Sequence, residues 1–212
     1  GDVYKRQGQS GLQTSVVANE LLKWERQHTY NVGFDLSMWQ GKLGLEVDVF
    51  YNYIFDILAA STGYPPSMGG YYPSYVNNNA QDVRGIDVSI SHRNHVGKFN
   101  YGVVVNLTYA QDRWLRYQDT PNTPDYQKHI GHSRWMSTGL VAEGLFQSEE
   151  EIDNSPYMTG SRPRVGDIKY KDLNGDGVIT NEQDRAYIGR GQRPQFNGSI
   201  NLFADWKGID LN

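Results

Sequence analysis

Five stretches of this chain alternate apolar and polar residues, and that alternation limits it to β-structure with one greasy face and one wet face. Between Thr29 and Met38 the apolar set is Tyr30, Val32, Phe34, Leu36 and Met38, with Asn31, Gly33, Asp35 and Ser37 between them. From Leu43 it is Leu43, Leu45, Val47, Val49, Tyr51, Tyr53, Phe55 and Ile57. From Phe99 it is Phe99, Tyr101, Val103, Val105, Leu107 and Tyr109. From Phe196 it is Phe196, Ile200, Leu202 and Trp206. A weaker stretch sets Ile86, Val88 and Ile90 against Asp87, Ser89 and Ser91, and Ile209 to Leu211 starts a sixth. Successive side chains of a strand point to opposite faces, so each stretch has an apolar side and a polar side.

Two architectures are written this way: a transmembrane β-barrel, apolar to lipid and polar to the lumen, and a soluble antiparallel sandwich. The polar face here is small (Gly, Asn, Ser, Asp), with few of the Lys and Glu of a solvated sheet. Aromatics (Tyr30, Trp39, Phe99, Tyr109, Phe196, Trp206) sit near strand ends, where interfacial girdles belong. Every second connection is short: Trp39 to Lys42, Arg93 to Lys98, and Lys207-Gly208. The alternate ones, near 59–81 and 111–195, are long. Short turns at one end and long loops at the other are the habit of outer-membrane barrels. The expected fold is therefore all-β: an antiparallel transmembrane β-barrel, present in part as five to six strands. Residues 1–14 are expected outside the fold and 15–212 within a barrel segment. The alternative is a secreted glycan-binding β-sandwich with a structural calcium loop.

Composition sets further bounds. A closed barrel needs about eight strands at least, more than this 212-residue chain displays, so it reads as a piece of a larger wall. The chain has no Cys, which removes disulfides, thiolate metal sites and Cys nucleophiles together. A net charge of −4 disfavours nucleic acid as a partner. No apolar run approaches the roughly 20 residues of a helical span. Gly1 to Gln7 resembles a translated sequencing adapter, which would leave the native N-terminus outside this chain.

The sharpest chemical motif lies in the second long loop: Asp172-Leu-Asn174-Gly-Asp176-Gly177-Val178-Ile179. This is the front half of a calcium loop, in which alternate residues offer oxygens around a tight turn. Asp172, Asn174, Asp176 and the carbonyl of Val178 are the candidate Ca2+ ligands. Position twelve, where an EF-hand places a bidentate Glu, is Gln183, and Asp184 follows it. A one-residue bulge would bring Asp184 into place. The competing reading is an Asx-rich turn whose side chains bond its own backbone. A bound ion would be structural and would pin the loop.

Other candidates carry less. His129-Ile-Gly-His132 has metal-like spacing without an obvious third ligand and reads as polar surface. Ser148-Glu-Glu-Glu151 is a capping box that starts a short helix. Asp35, Glu46 and Asp48 fall on the polar strand face and are expected to line the lumen. No catalytic motif is present, so no enzyme is expected; a glycosidase would need Glu46, Asp48 or Glu143 as its acids. Tyr64, Tyr71, Tyr72 and Tyr75 share a Gly- and Pro-rich loop, where aromatic faces with hydroxyl tips suit a sugar or a protein contact.

The order of segments resembles the C-terminal part of SusC/RagA-type TonB-dependent transporters of Bacteroidota outer membranes. The series runs from Asn19-Glu-Leu-Leu-Lys-Trp-Glu25 through Asn31-Val-Gly-Phe-Asp35 and Val83-Arg-Gly-Ile-Asp87. It continues with Ala142-Glu-Gly-Leu-Phe-Gln-Ser-Glu-Glu150, Gly166-Asp-Ile-Lys-Tyr170, the Asp172 loop, and Lys207-Gly-Ile-Asp-Leu211. The acid at position thirteen departs from the family pattern. The resemblance implies a plugged barrel of about 22 strands. It implies import of oligosaccharides or peptides powered by the TonB complex, with a SusD-like lipoprotein at the outer mouth and outer-membrane lipid around the wall.

Overall fold

The computed structural model describes residues 19–64 and 72–211. The expected start at residues 1–14, and Tyr71, lie outside them. Four long strands come first: β1 (Arg26–Met38), β2 (Leu43–Ala60), β3 (Tyr75–Val96) and β4 (Phe99–Arg116). Short elements follow: β5 (Ser137–Leu140), β6 (Ala142–Leu145), helix α1 (Glu149–Asp153), β7 (Tyr157–Met158), β8 (Ile168–Tyr170), β9 (Val178–Ile179) and β10 (Arg185–Ile188). Strands β11 (Phe196–Trp206) and β12 (Ile209–Leu211) close the series. One sheet in the order β1-β2-β3-β4-β11-β12 holds the long strands, each antiparallel to its neighbours. Among the described residues the sheet is open, with β1 and β12 at its edges.

Register turns the separate alternations into one surface. Leu36, Leu45, Ile90, Val105 and Ile200 stand in one cross-strand row; Val32, Val49, Ile86, Tyr109 and Phe196 stand in another. Slipping any strand by one residue would send its whole apolar set to the other face. The rows end in aromatics: Tyr30 faces Tyr51 and Tyr109 faces Phe196 toward the long loops, while Phe99 faces Trp206 beside the turns. β11 has 11 residues, within the range of about 9–11 for a tilted transmembrane strand.

This apolar face is uncovered. Val32 is 76% exposed, Ile200 68% and Leu202 63%. The buried apolar residues lie elsewhere: Ile57, Ala59, Ala80 and Trp114 near the outer ends of the strands, and Phe146, Ile152 and Ile179 in the loop elements. A sandwich would bury the apolar face under a second sheet. Among the described residues the other sheets are two-stranded (β5–β10, β6–β8, β7–β9), and the apolar face is left bare. The sandwich alternative therefore fails, and the partial barrel stands.

The turns explain how the strands reverse so tightly. Gly97-Lys98 joins β3 to β4 with Gly97 at φ +60°; Lys207-Gly208 joins β11 to β12 with both residues at positive φ, as two-residue hairpins demand. The third connection, expected at Arg93 to Lys98, is thus shorter than its sequence implied, because β3 continues through His95 and Val96. The outer strand ends also run past the expected loop limits, to Ala60, back to Tyr75, and out to Arg116. Irregular register near Ile54–Ile57 in β2 and at Ala80/Gln81 in β3 breaks the two-residue rhythm there.

Candidate functional site: the polar face and the outer loops

The polar side of the sheet carries its own rows. Asp35 faces Glu46, which faces Ser89, Asn106 and Ser199 in turn; Gly33, Asp48, Asp87, Thr108 and Asn197 form the next row. The acids expected on this face are there. Asp48 accepts from Asn31 Nδ2 at 3.4 Å, and Thr108 Oγ1 donates to Asp87 at 2.6 Å. The aligned like charges Asp35/Glu46 and Asp48/Asp87 are what a water-lined surface tolerates; in a packed interior such pairs would be costly. Glu143, on β6 in the outer loops, belongs to a different sheet from Glu46 and Asp48, so the three form no acid cluster.

Two aromatics interrupt this face, each over a glycine. A Cβ on Gly85 would collide with the Phe50 ring and the Tyr109 carbonyl oxygen; one on Gly102 would collide with the Phe203 ring and the His92 carbonyl oxygen. Arg93 lies 5.5 Å from the Phe203 ring centre.

The long β4–β11 connection is folded, with its own local logic. Where β11 stops, residues 130–132 take its place beside β4: Gly131 N–H donates to the Trp114 carbonyl at 2.8 Å and Trp114 N–H to the His132 carbonyl at 2.9 Å. Helix α1 begins as the capping box predicts. Ser148 Oγ accepts from Glu151 N–H at 3.1 Å, and Glu151 reaches back to Gln147 N–H at 2.9 Å and to Lys169 Nζ at 3.0 Å. The Gln147 amide, then Lys169, hold the Glu151 carboxyl below its ordinary range.

In the Asp172 loop the side chains are turned onto the backbone. Asp172 accepts from Gly175 N–H at 2.7 Å and Gly177 N–H at 2.8 Å; Asn174 accepts from Asp176 N–H and Asp176 from Val178 N–H. Asp184 is fully buried and accepts from Leu173 N–H at 2.9 Å and Thr180 N–H at 2.7 Å. The structure thus brings Asp172, Asn174, Asp176, Val178 and Asp184 into one turn. Asp172 and Asp184 each turn both carboxylate oxygens onto backbone amides, the bonding of an Asx-rich turn, and each of those oxygens keeps a second lone pair. Among the described residues no group of three or more His, Asp or Glu side chains is arranged to hold a metal.

The tyrosine loop divides. Tyr64 and Tyr72 stack at 4.7 Å with planes 13° apart, while Tyr75 opens β3 and is exposed.

The histidines are more than the polar surface expected of them. His129 stacks on Tyr117 at 3.9 Å and His132 on Tyr187 at 4.0 Å, and Trp114 meets Tyr117 edge-on at 5.0 Å. Asp119 bonds His129 Nδ1 at 2.5 Å. Burial, then the Asp119 charge, pushes the Tyr187 hydroxyl up to about 12. Tyr117, Asp119 and His129 border a cavity of about 430 Å³ with Asn79, Thr123 and Gln127. Only the His-x-x-His spacing hinted at this cluster in the sequence, because its partners come from three separate segments.

A sheet with a bare apolar face, a polar opposite face, aromatic rows at both ends and folded loops at one end defines a strip of transmembrane β-barrel wall. The chain belongs to the TonB dependent receptor-like, beta-barrel family, whose model matches residues 1–208. It is similar to TonB-dependent receptor P26 of Formosa agariphila, 26% identical over 186 residues, covering 82% of this chain and 18% of that protein. It is similar also to TonB-dependent receptor P3 of the same organism, 22% identical over 220 residues, covering 96% of this chain and 21% of that protein. Two solved structures share the fold. One is the RagAB peptide transporter (TM-score 0.65, 19% identity) and the other the RagAB peptide importer in its open-open state (TM-score 0.67, 21% identity). Each match covers 94% of this chain and 21% of the other. The chain therefore spans about a fifth of the length of the relatives it matches.

Proposed function

We propose that this chain is a section of wall and extracellular loops of an active importer in the Gram-negative outer membrane. It would serve uptake of oligosaccharides or peptides, with a SusD-like surface lipoprotein over its mouth and the TonB complex as its energy source. The observation that carries the reading is the uncovered apolar face running in register from β1 to β12, which lipid would cover. Family membership and the likeness to structures described as peptide importers support it. The test is fractionation and uptake with the complete protein that carries this chain. Recovery in the outer membrane, detergent-dependent solubility and TonB-dependent import of a labelled glycan or peptide are expected. A folded monomer soluble without detergent would sink the reading.

Calcium on the Asp172 loop belongs to the same proposal, in a structural role. Asp172, Asn174, Asp176 and the Val178 carbonyl would supply oxygens, with Asp184 as a fifth candidate whose oxygens are held by Leu173 and Thr180 as those of Asp172 are by Gly175 and Gly177. Tyr126, whose hydroxyl donates to the Gln183 carbonyl at 2.6 Å, is placed to sensitise a lanthanide there. Terbium luminescence that saturates and is displaced by Ca2+ is the expected result; no signal from an intact barrel counts against the ion.

A further inference from the structure

Three arginines gather around Trp135 on the polar side of the sheet, at its outer end. Arg193 lies 3.5 Å from the Trp135 ring centre, and Arg134 lies 5.7 Å from the same ring. Arg190 and Arg193 line a cavity of about 200 Å³ with Val83, Asp112, Trp135 and Gln195. Among the described residues, none of Arg134, Arg190 and Arg193 takes part in an ion pair, a condition they share with Arg84, Arg93, Arg116, Arg164 and Arg185.

The cavity's position follows from register. Val83 pairs with Asp112, and both share the parity of Asp87 and Thr108, so the cavity opens on the polar face. The loop is tied there by Ser133 Oγ donating to Asp112 at 2.6 Å, Arg134 N–H donating to the same carboxylate at 2.9 Å, and Gln192 N–H donating to the Trp135 carbonyl at 2.8 Å. Asp112, the one acid lining the cavity, is therefore already engaged by both oxygens. A guanidinium laid on an aromatic face keeps its N–H edge free, and that edge is a fork matched to two oxygens. The space, about 200 Å³, equals about seven water volumes, room for a carboxylate and the few atoms bearing it.

We propose that Arg190 and Arg193, with Arg193 braced on Trp135, form a subsite that captures a carboxylate group of the cargo as it enters the lumen. The inference rests on the importer reading and deepens it. Deeper on the same face stand Asp35, Glu46, Asp48 and Asp87, so an anion held at the mouth would meet like charge below. That polarity suits a capture point that releases its ligand. The carboxylate could come from an acidic peptide or from a uronate sugar, and the experiment separates the two.

The complete transporter that carries this chain is purified in detergent, and binding is followed by calorimetry. The probes are a tetraglutamate peptide, a trigalacturonate, and their neutral counterparts tetraglutamine and maltotriose. At least one carboxylate probe is expected to bind about tenfold or more tightly than its neutral counterpart. That advantage should shrink as salt rises and vanish in R190A/R193A, while neutral binding is unchanged. The peptide and sugar arms identify the source. Equal binding of acidic and neutral probes, equal losses of both in the double variant, or no binding of either acidic probe overturns the subsite. Heat-modifiable migration on gels reports an intact barrel. If the alanine variant fails it, R190Q/R193Q replaces it and is expected to lose the preference; an unchanged preference overturns the assignment. An intact membrane barrel with no carboxylate preference rejects the subsite alone, whereas a detergent-independent soluble parent rejects the importer reading.

Discussion

Gly85 lies beneath the Phe50 ring and beside the Tyr109 carbonyl, so a side chain there meets both a movable neighbour and a fixed one. Phe50→Ala can clear the ring but not the strand backbone. Gly85→Val is expected to lower barrel stability by about 1–3 kcal/mol, and Phe50→Ala to recover only part of it, as read from the urea midpoint of the complete protein. Full recovery would mean that the carbonyl contact is unimportant. Tyr187 offers a test by pH. Its hydroxyl is held neutral up to about 12 in the folded protein against an ordinary value of 10. The unfolded chain therefore ionises first, and stability associated with Tyr187 is full below pH 10 and lost as pH rises toward 12. A difference titration at 295 nm against Tyr187→Phe should show one tyrosine ionising late; ionisation near 10 would remove the packed Tyr187–His132 stack from the account. Contacts of this kind were hidden in the sequence. Tyr117, His129, His132 and Tyr187 follow no shared period, and the loop fold alone brings them together.

At the scale of the element, the Asp172 loop was legible as a motif but not in its bonding. Alternate oxygens around Gly177 look the same whether they face a cation or amides, and only the burial of Asp184 distinguishes its present partners. Asp184→Ala leaves two part-buried amides unpaired, at a cost of about 1 kcal/mol each. It should raise hydrogen exchange at Leu173 and Thr180 while leaving the β4 amides protected; unchanged exchange at Leu173 would show that Asp184 does not hold the loop. Helix α1 was readable because a capping box is local. The ends of β2 and β3 were not, because the register is irregular near Ile57 and Ala80, and the Asn77-Asn78-Asn79 run lacks the alternation that betrays the rest of β3.

For the whole molecule the sequence was most informative, since a period of two repeated over five strands leaves little freedom in which side chains share a face. It could not supply the rest of the wall or the position of the loops over the polar face, which depend on pairings between distant segments. Ile200 and Ser199 are neighbours on β11 that face opposite ways. Ile200→Arg, near the middle of the apolar band, is expected to cost about 2–4 kcal/mol in a refolding titration into lipid, and Ser199→Arg much less. Equal costs would contradict the assignment of faces. The most direct test is a spin-label scan of β4 in the complete protein in lipid bilayers, with single cysteines placed from Val103 to Thr108 in a segment that has none of its own. Labels at 103, 105 and 107 should collide with oxygen dissolved in lipid, and labels at 104, 106 and 108 with a water-soluble nickel complex. Loss of that two-residue period, with both faces equally open to the nickel complex, would contradict the membrane wall.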